Sequence, residues 1–107
     1  MCIRDSFHAL PAGLKGPDTV RNGALAMLQY AKAERTLGDL GAASSADNEA
    51  LTLLGQLRQA GDNSEATTIA LARGTQIRAR ILANQGSPEA LPTGQQAVDL
   101  LLSLIHI

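Results

Sequence analysis

Between Val20 and Leu101 the apolar residues fall into four blocks with a helical rather than an alternating rhythm, separated by glycine-rich or polar stretches. The first block holds Val20, Ala24, Met27, Leu28 and Ala31, with Leu25, Leu37 and Leu40 beside them. Asp18 stands where an N-cap belongs, so the pattern predicts a helix over 19–40. Gly23 and Gly38 each cost up to ~1 kcal/mol of helix propensity relative to Ala, which favours a break near Gly38. The small, polar stretch 41–46 (GAASSA) reads as a connection, and Asp47 as the next N-cap, with Glu49 in the first turn where a carboxylate suits the helix dipole. Ala50, Leu51, Leu53, Leu54 and Leu57 then make one wide apolar face, predicting a second helix over 48–60 that Gly61 closes. A third helix, capped by Asn63 or Ser64, carries Ala66, Ile69, Ala70, Ile77 and Ile81 on one stripe and ends at Gly86. Thr67, Thr68 and Gly74 weaken its first half, leaving open one helix of about 20 residues or two joined near Gly74. Ser87, Pro88 and Glu89 are three agreeing start signals for a fourth helix, with Ala90, Leu91, Ala97, Val98, Leu100 and Leu101 as its apolar positions. Pro92 is awkward there, because it falls where the chain should begin to donate intrahelical hydrogen bonds.

Composition narrows the architecture. Of 107 residues, 18 are Ala and 17 Leu, against two Val and 2% aromatics, so a β-sandwich or barrel is excluded in favour of close-packed helices. The expected fold is all-α: about four helices in antiparallel hairpins. A formal net charge of −1 argues against a nucleic-acid binder held by many phosphate contacts and against a polybasic membrane anchor. One Cys excludes a disulfide scaffold, and no apolar run reaches the length of a membrane span.

The two ends stand apart from the rest. Residues 1–6 (MCIRDS) can be encoded as ATG TGT ATA AGA GAC AGx, and residues 102–107 (LSLIHI) as CTG TCT CTT ATA CAC ATC. The second string begins with the reverse complement of the first. Both resemble the translated mosaic-end adapter that a transposase leaves on sequencing fragments, which implies that neither end is native. On that reading the informative chain is 7–101, with an irregular lead-in over 7–17 and a helical fragment over 18–101, and it holds no Cys and a single His, His8. The absence of a signal segment, a membrane anchor or a catalytic domain from the chain then carries no meaning, since any of them could lie beyond either edge.

Two connections share a pattern. In 57–66 and again in 81–90 a helix ends on Gly, a polar cap follows, and Glu-Ala opens the next helix. This resembles the helix-turn-helix unit of tetratricopeptide repeats, to which Leu54-Gly55 and the seven-residue spacing of Ala90 and Ala97 are also similar. The resemblance spans about 48–101. It implies a stacked array of helical hairpins that binds a protein or peptide without catalysis, and a fragment that is only marginally stable alone. The sequence departs from that family in several ways: Gly61 and Gly86 lie 25 residues apart against about 34 in the family, the aromatic positions hold none, the turn after Gly86 is a residue short, and Pro92 interrupts a helix. A generic antiparallel array with Gly-terminated helices is the alternative. A shifted frame of GC-rich DNA is a third reading, against which three of the four Pro and most Gly stand at predicted helix boundaries. The stretch 10–30, with Val20-Arg21 and Leu28-Gln29-Tyr30, also looks like the lead-in to helical repeats of some bacterial serine/threonine kinases, which implies a regulatory or sensory segment of a signalling enzyme.

Candidate chemistry is sparse. His8 lies in the lead-in with no acid nearer than Asp18 within the informative stretch and reads as a surface side chain. Asp47, Glu49, Asp62, Glu65 and Glu89 sit at or near predicted helix starts, where capping explains them better than paired acid/base work. No phosphate loop, dinucleotide fingerprint, zinc-protease or nucleophile-elbow motif occurs, and no cofactor or metal is implied. The concentrated charge feature is Arg73, Arg78 and Arg80, on a helix with no acid between Glu65 and Glu89. On a helical wheel Arg73 and Arg80 share one edge of the Ile69/Ile77/Ile81 stripe and Arg78 lies on the other. Their stems are expected to cover the core rim with solvated heads; as a site they would offer a partner's carboxylate or phosphate a basic edge. RNA is disfavoured, since Tyr30 and Phe7 offer no stacking platform.

Overall fold

The computed structural model describes residues 16–105, four helices joined by short turns: α1 (Pro17–Leu37), α2 (Leu40–Gln59), α3 (Glu65–Asn84) and α4 (Ala90–Ile105). The fold is all-α, and α1 pairs with α2 and α3 with α4 in two antiparallel hairpins. The second hairpin stacks on the first through α3, which touches both α1 and α2. Residues 1–6 and the lead-in up to residue 15, with His8, lie outside the described residues, whereas α4 continues through the adapter-like stretch to Ile105.

Three turns end three helices in the same way. At Gly38, Gly61 and Gly86 the backbone enters the left-handed region, with φ of 93°, 105° and 71°, which a side chain with a Cβ disfavours. In each case the next residue's N–H reaches back to the carbonyl five residues earlier: Asp39 to Glu34, Asp62 to Leu57 and Ser87 to Leu82, all at 2.9 Å. That is the Schellman arrangement, and it satisfies carbonyls that a helix end otherwise leaves without partners.

The first helix starts and stops earlier than its sequence suggests. Gly16 is its N-cap and Pro17 opens the first turn, where a fixed φ is useful and the missing N–H costs nothing. Asp18 is therefore inside the helix and pairs with Arg21 rather than capping.

The second helix corrects the expectation most. Residues 41–46 are its first turns rather than a connection, and Asp39 is the N-cap, its Oδ1 accepting from Ala42 N–H at 3.0 Å. Small size is the reason: Ala43, Ala46 and Ala50 are buried together with Ala24 and Ala31 of α1 in one core, so two backbones can approach closely there. Ala is also the best helix former, and the turn at Gly38 and Asp39 supplies both a stop and a start. Larger side chains fill the rest of the core, with Met27, Leu28 and Leu54 at most 1% exposed and Leu57, Ile77 and Ile81 beside them.

The third helix is one unbroken element capped by Ser64, whose Oγ accepts from Thr67 N–H at 3.3 Å. Gly74 does not break it; it is a point of close approach between the two hairpins. A Cβ there would meet Leu51 Cδ2 at 2.7 Å and Leu28 Cδ2 at 3.2 Å. The fourth helix begins at Ala90, after a turn in which Ser87 Oγ accepts from Glu89 N–H at 3.2 Å. Pro92 thus lies in the first turn, where the N–H it lacks has no intrahelical partner to lose.

Polar contacts fix how the hairpins sit. Arg21 near the start of α1 donates to Asp62 Oδ2 and Thr67 Oγ1, both at 3.4 Å, at the start of α3. Arg35 near the end of α1 donates to Asn84 Oδ1 at 3.0 Å, at the end of α3. The two helices therefore run parallel, side by side. Pro17 and Glu65, their first residues, lie 48 positions apart, so the structural unit is a 48-residue hairpin rather than one of about 34.

Candidate functional site

The parallel pair α1 and α3 encloses a shallow groove of about 310 Å³. Leu28 and Ile77, both buried, form its apolar floor. Each helix contributes cations and an amide on a helical spacing: Gln29, Lys32 and Arg35 from α1, and Arg73, Gln76 and Arg80 from α3. Arg73 and Arg80 are seven residues apart on one edge of α3, roughly 10 Å along the axis at 1.5 Å per residue.

Of the arginines singled out in the sequence, Arg73 and Arg80 meet in this groove and Arg78 does not line it. Arg78 instead acts electrostatically on Asp47 of α2. The groove adds Lys32 and Arg35, which sequence reasoning passed over because they lie about 40 positions from Arg73 and come near only when α3 docks beside α1. An interval of 48 between matching helical positions would have signalled the pairing; it is faint because the identities at that spacing, such as Ala24 with Ala72, Ala31 with Ala79 and Gly38 with Gly86, fall on the commonest small residues of the chain.

The electrostatics are one-sided. No carboxylate lines the groove, and Lys32, Arg73 and Arg80 have no ion-pair partner among the described residues, while Arg35 is held by the neutral Asn84. Four like charges around an apolar floor repel one another and draw anions. The lining groups are cations, amides and aliphatic side chains, so the charge they present favours an anion. Among the described residues no cluster of three His, Cys, Asp or Glu is placed to hold a metal ion, and no helix is long and apolar enough to cross a membrane.

Asp47 is the residue the sequence misread. It is not an N-cap but lies fully buried in the middle of α2, with neither carboxylate oxygen hydrogen-bonded. Burial pushes its carboxyl up to about 7, opposed by the positive charge of Arg78. Asp47 is not among the residues that line this groove. Asp62 goes the other way: hydrogen bonds from Ser64, first, and from Thr67 hold its carboxyl below the ordinary carboxylate value, with Arg21 adding to them. Its role is to tie the α2–α3 turn to α1.

Compared with protein-family models, curated proteins and solved structures, the chain finds no significant match.

Proposed function

We propose that this chain is a non-catalytic protein-interaction segment of a helical-repeat array, akin to tetratricopeptide proteins in its stacked hairpins, and that the groove between α1 and α3 receives an anionic stretch of a partner peptide. One observation carries this reading: Lys32 and Arg35 from one hairpin and Arg73 and Arg80 from the next converge on a single groove with no acid in its lining. The apolar floor suits an aliphatic side chain between the acidic groups, and Gln29 and Gln76 can each donate to, and accept from, a peptide backbone. The 48-residue unit is longer than the tetratricopeptide repeat, so the likeness rests on stacking and on Gly-terminated helices.

Exposed charge pairs contribute ~0.2–1 kcal/mol each, so four of them with a small apolar contact support weak binding, on the order of millimolar to high micromolar. The test is fluorescence anisotropy of a labelled extended peptide rich in Asp and Leu, titrated with the full chain and with an Arg73→Glu/Arg80→Glu variant. The expected result is salt-sensitive binding, weakened roughly tenfold or more by the double reversal. Arg58→Glu, exposed on α2 and outside the groove, is the control and leaves the affinity unchanged. Equal affinity of the double variant and the parent chain would reject the reading.

A further inference from the structure

A second groove lies on the other flank of α3, between it and α4, with a volume of about 390 Å³. Its lining residues on α3 are 69, 72, 73 and 76, and on α4 they are 94, 97, 98 and 101. Both sets follow the i, i+3, i+4, i+7 rhythm of a helix face, so the groove is two turns long on each wall, roughly 10 Å. The floor is made of small residues: Ala72 and Ala97 are 2% and 5% exposed, and Gly94 lies between the helices. The walls are aliphatic and open to solvent, with Ile69, Val98 and Leu101 each 36–47% exposed. The rim on the α3 side is Arg73 with Gln76, and these two residues also line the basic groove, so they form the ridge between the two depressions.

We infer that this α3–α4 groove is a docking surface for an amphipathic helix of a partner protein, one that presents an aliphatic stripe to the groove and an acidic flank to Arg73. The helical form follows from the walls. Small floor residues between two antiparallel helices allow a third helix to approach, and the fold fills the corresponding position on the first hairpin in that way: α3 lies against both α1 and α2, bringing Gly74 against Leu28 and Leu51. The aliphatic stripe follows from Ile69, Val98 and Leu101, which are too exposed for a finished core and too continuous for scattered surface residues. The acidic flank follows from charge complementarity. No carboxylate lines either groove, and the ridge carries Arg73 with Arg80 and Lys32 beyond it, so a basic flank would be repelled where an acidic one gains. A helix on the α3–α4 side thus engages Arg73 from one direction, while the basic groove remains open on the other.

The experiment uses three labelled synthetic peptides of about 18 residues and the full chain, read by fluorescence anisotropy. The first has Leu at i, i+3, i+4 and i+7 with Glu along one flank; the second has Lys in place of each Glu; the third has the first one's composition with the Leu positions scattered. The first is expected to bind and the other two to bind at least about tenfold more weakly. Val98→Glu and Leu101→Gln, at half-exposed positions that the folded core tolerates, weaken the first peptide by about tenfold, and the fully surface-borne Arg73→Glu weakens it several-fold. Arg58→Glu, exposed on α2 and lining neither groove, leaves it within about twofold, which separates a contact at this surface from a change in overall charge. Undiminished binding to Val98→Glu and Leu101→Gln, or equal affinity for the Lys peptide, overturns the proposal. So does a free chain that is dimeric by light scattering, becomes monomeric on Val98→Glu and binds none of the peptides, since the groove would then belong to a second copy.

Discussion

The carboxylate of Asp47 is sealed inside α2 without a hydrogen bond, and the charge that acts on it comes from Arg78, one helix away on α3. A sequence rich in caps makes this Asp look like another helix start, yet it sits eight residues after the true N-cap, Asp39.

Stability should therefore fall with rising pH because of one residue. Asp47 holds its proton up to about pH 7 when folded but only to about 3.8 when unfolded, so the folded state binds more protons between those values. Its contribution is fully favourable below about pH 4 and is lost as pH rises to about 7, a change on the order of 4 kcal/mol at 1.36 kcal/mol per pH unit. Urea denaturation of the parent chain and of Asp47→Asn from pH 4 to 8 checks it. The variant should gain on the parent steadily through that window, and a constant difference would contradict the assignment.

Arg78 lowers the Asp47 carboxyl through its charge, so removing it should push that carboxyl higher still. In Arg78→Ala the same difference between the chain with and without Asp47→Asn is expected to keep growing to a higher pH than in the parent. An unchanged upper edge would mean that the two side chains do not sense each other.

Gly74 is the glycine whose added Cβ would be most crowded, and a change there should reverse sign with its neighbour. Alanine gains ~1 kcal/mol of helix propensity but adds a methyl that must displace Leu51 Cδ2 from 2.7 Å, an overpacking cost of about 1–3 kcal/mol. Gly74→Ala should thus be neutral to destabilising by about 2 kcal/mol in the parent, and stabilising by up to about 1 kcal/mol in a Leu51→Ala background. Thermal or urea melts of the four chains of this cycle give the coupling directly, and additivity would show that the hairpins are not this close.

Two other glycines separate backbone need from packing. Gly38 has φ of 93° with open space around it, so Gly38→Ala should cost about 1–2 kcal/mol through strain alone. Gly55 lies inside α2 with nothing within 4 Å of a Cβ, so Gly55→Ala should stabilise by about 0.5–1 kcal/mol. Opposite signs in urea melts are the expected outcome.

Much of this fold is legible along the chain because local signals decide it. Gly61 and Gly86 mark helix ends that depend on a left-handed residue, and Ser64, one of the two caps the sequence offers, marks a start that depends on its hydroxyl; one helix or two at Gly74 stays open until α3 is seen to run unbroken. What was not legible depends on neighbours distant in sequence. Ala42, Ser44 and Ser45 look like loop residues until Ala43 and Ala46 are seen packed in the core beside α1. Asp47 looks like a cap until α2 is known to begin at Leu40. Arg73 and Arg80 are visible as one edge of α3, but their meeting with Lys32 and Arg35 follows from the parallel docking of α1 and α3, which no local pattern encodes.

The central claim is that two hairpins jointly build one anion-binding groove, and Lys32 tests it best because it belongs to the first hairpin while Arg80 belongs to the second. The decisive measurement is the affinity of the labelled Asp/Leu-rich peptide for Lys32→Glu, for Arg80→Glu and for the double variant, by anisotropy at low salt. Each single reversal should weaken binding by about five- to twentyfold, with non-additive losses in the double variant because both cations act on one bound ligand. Parent-like binding by Lys32→Glu, alongside a full loss in Arg80→Glu, would contradict the account.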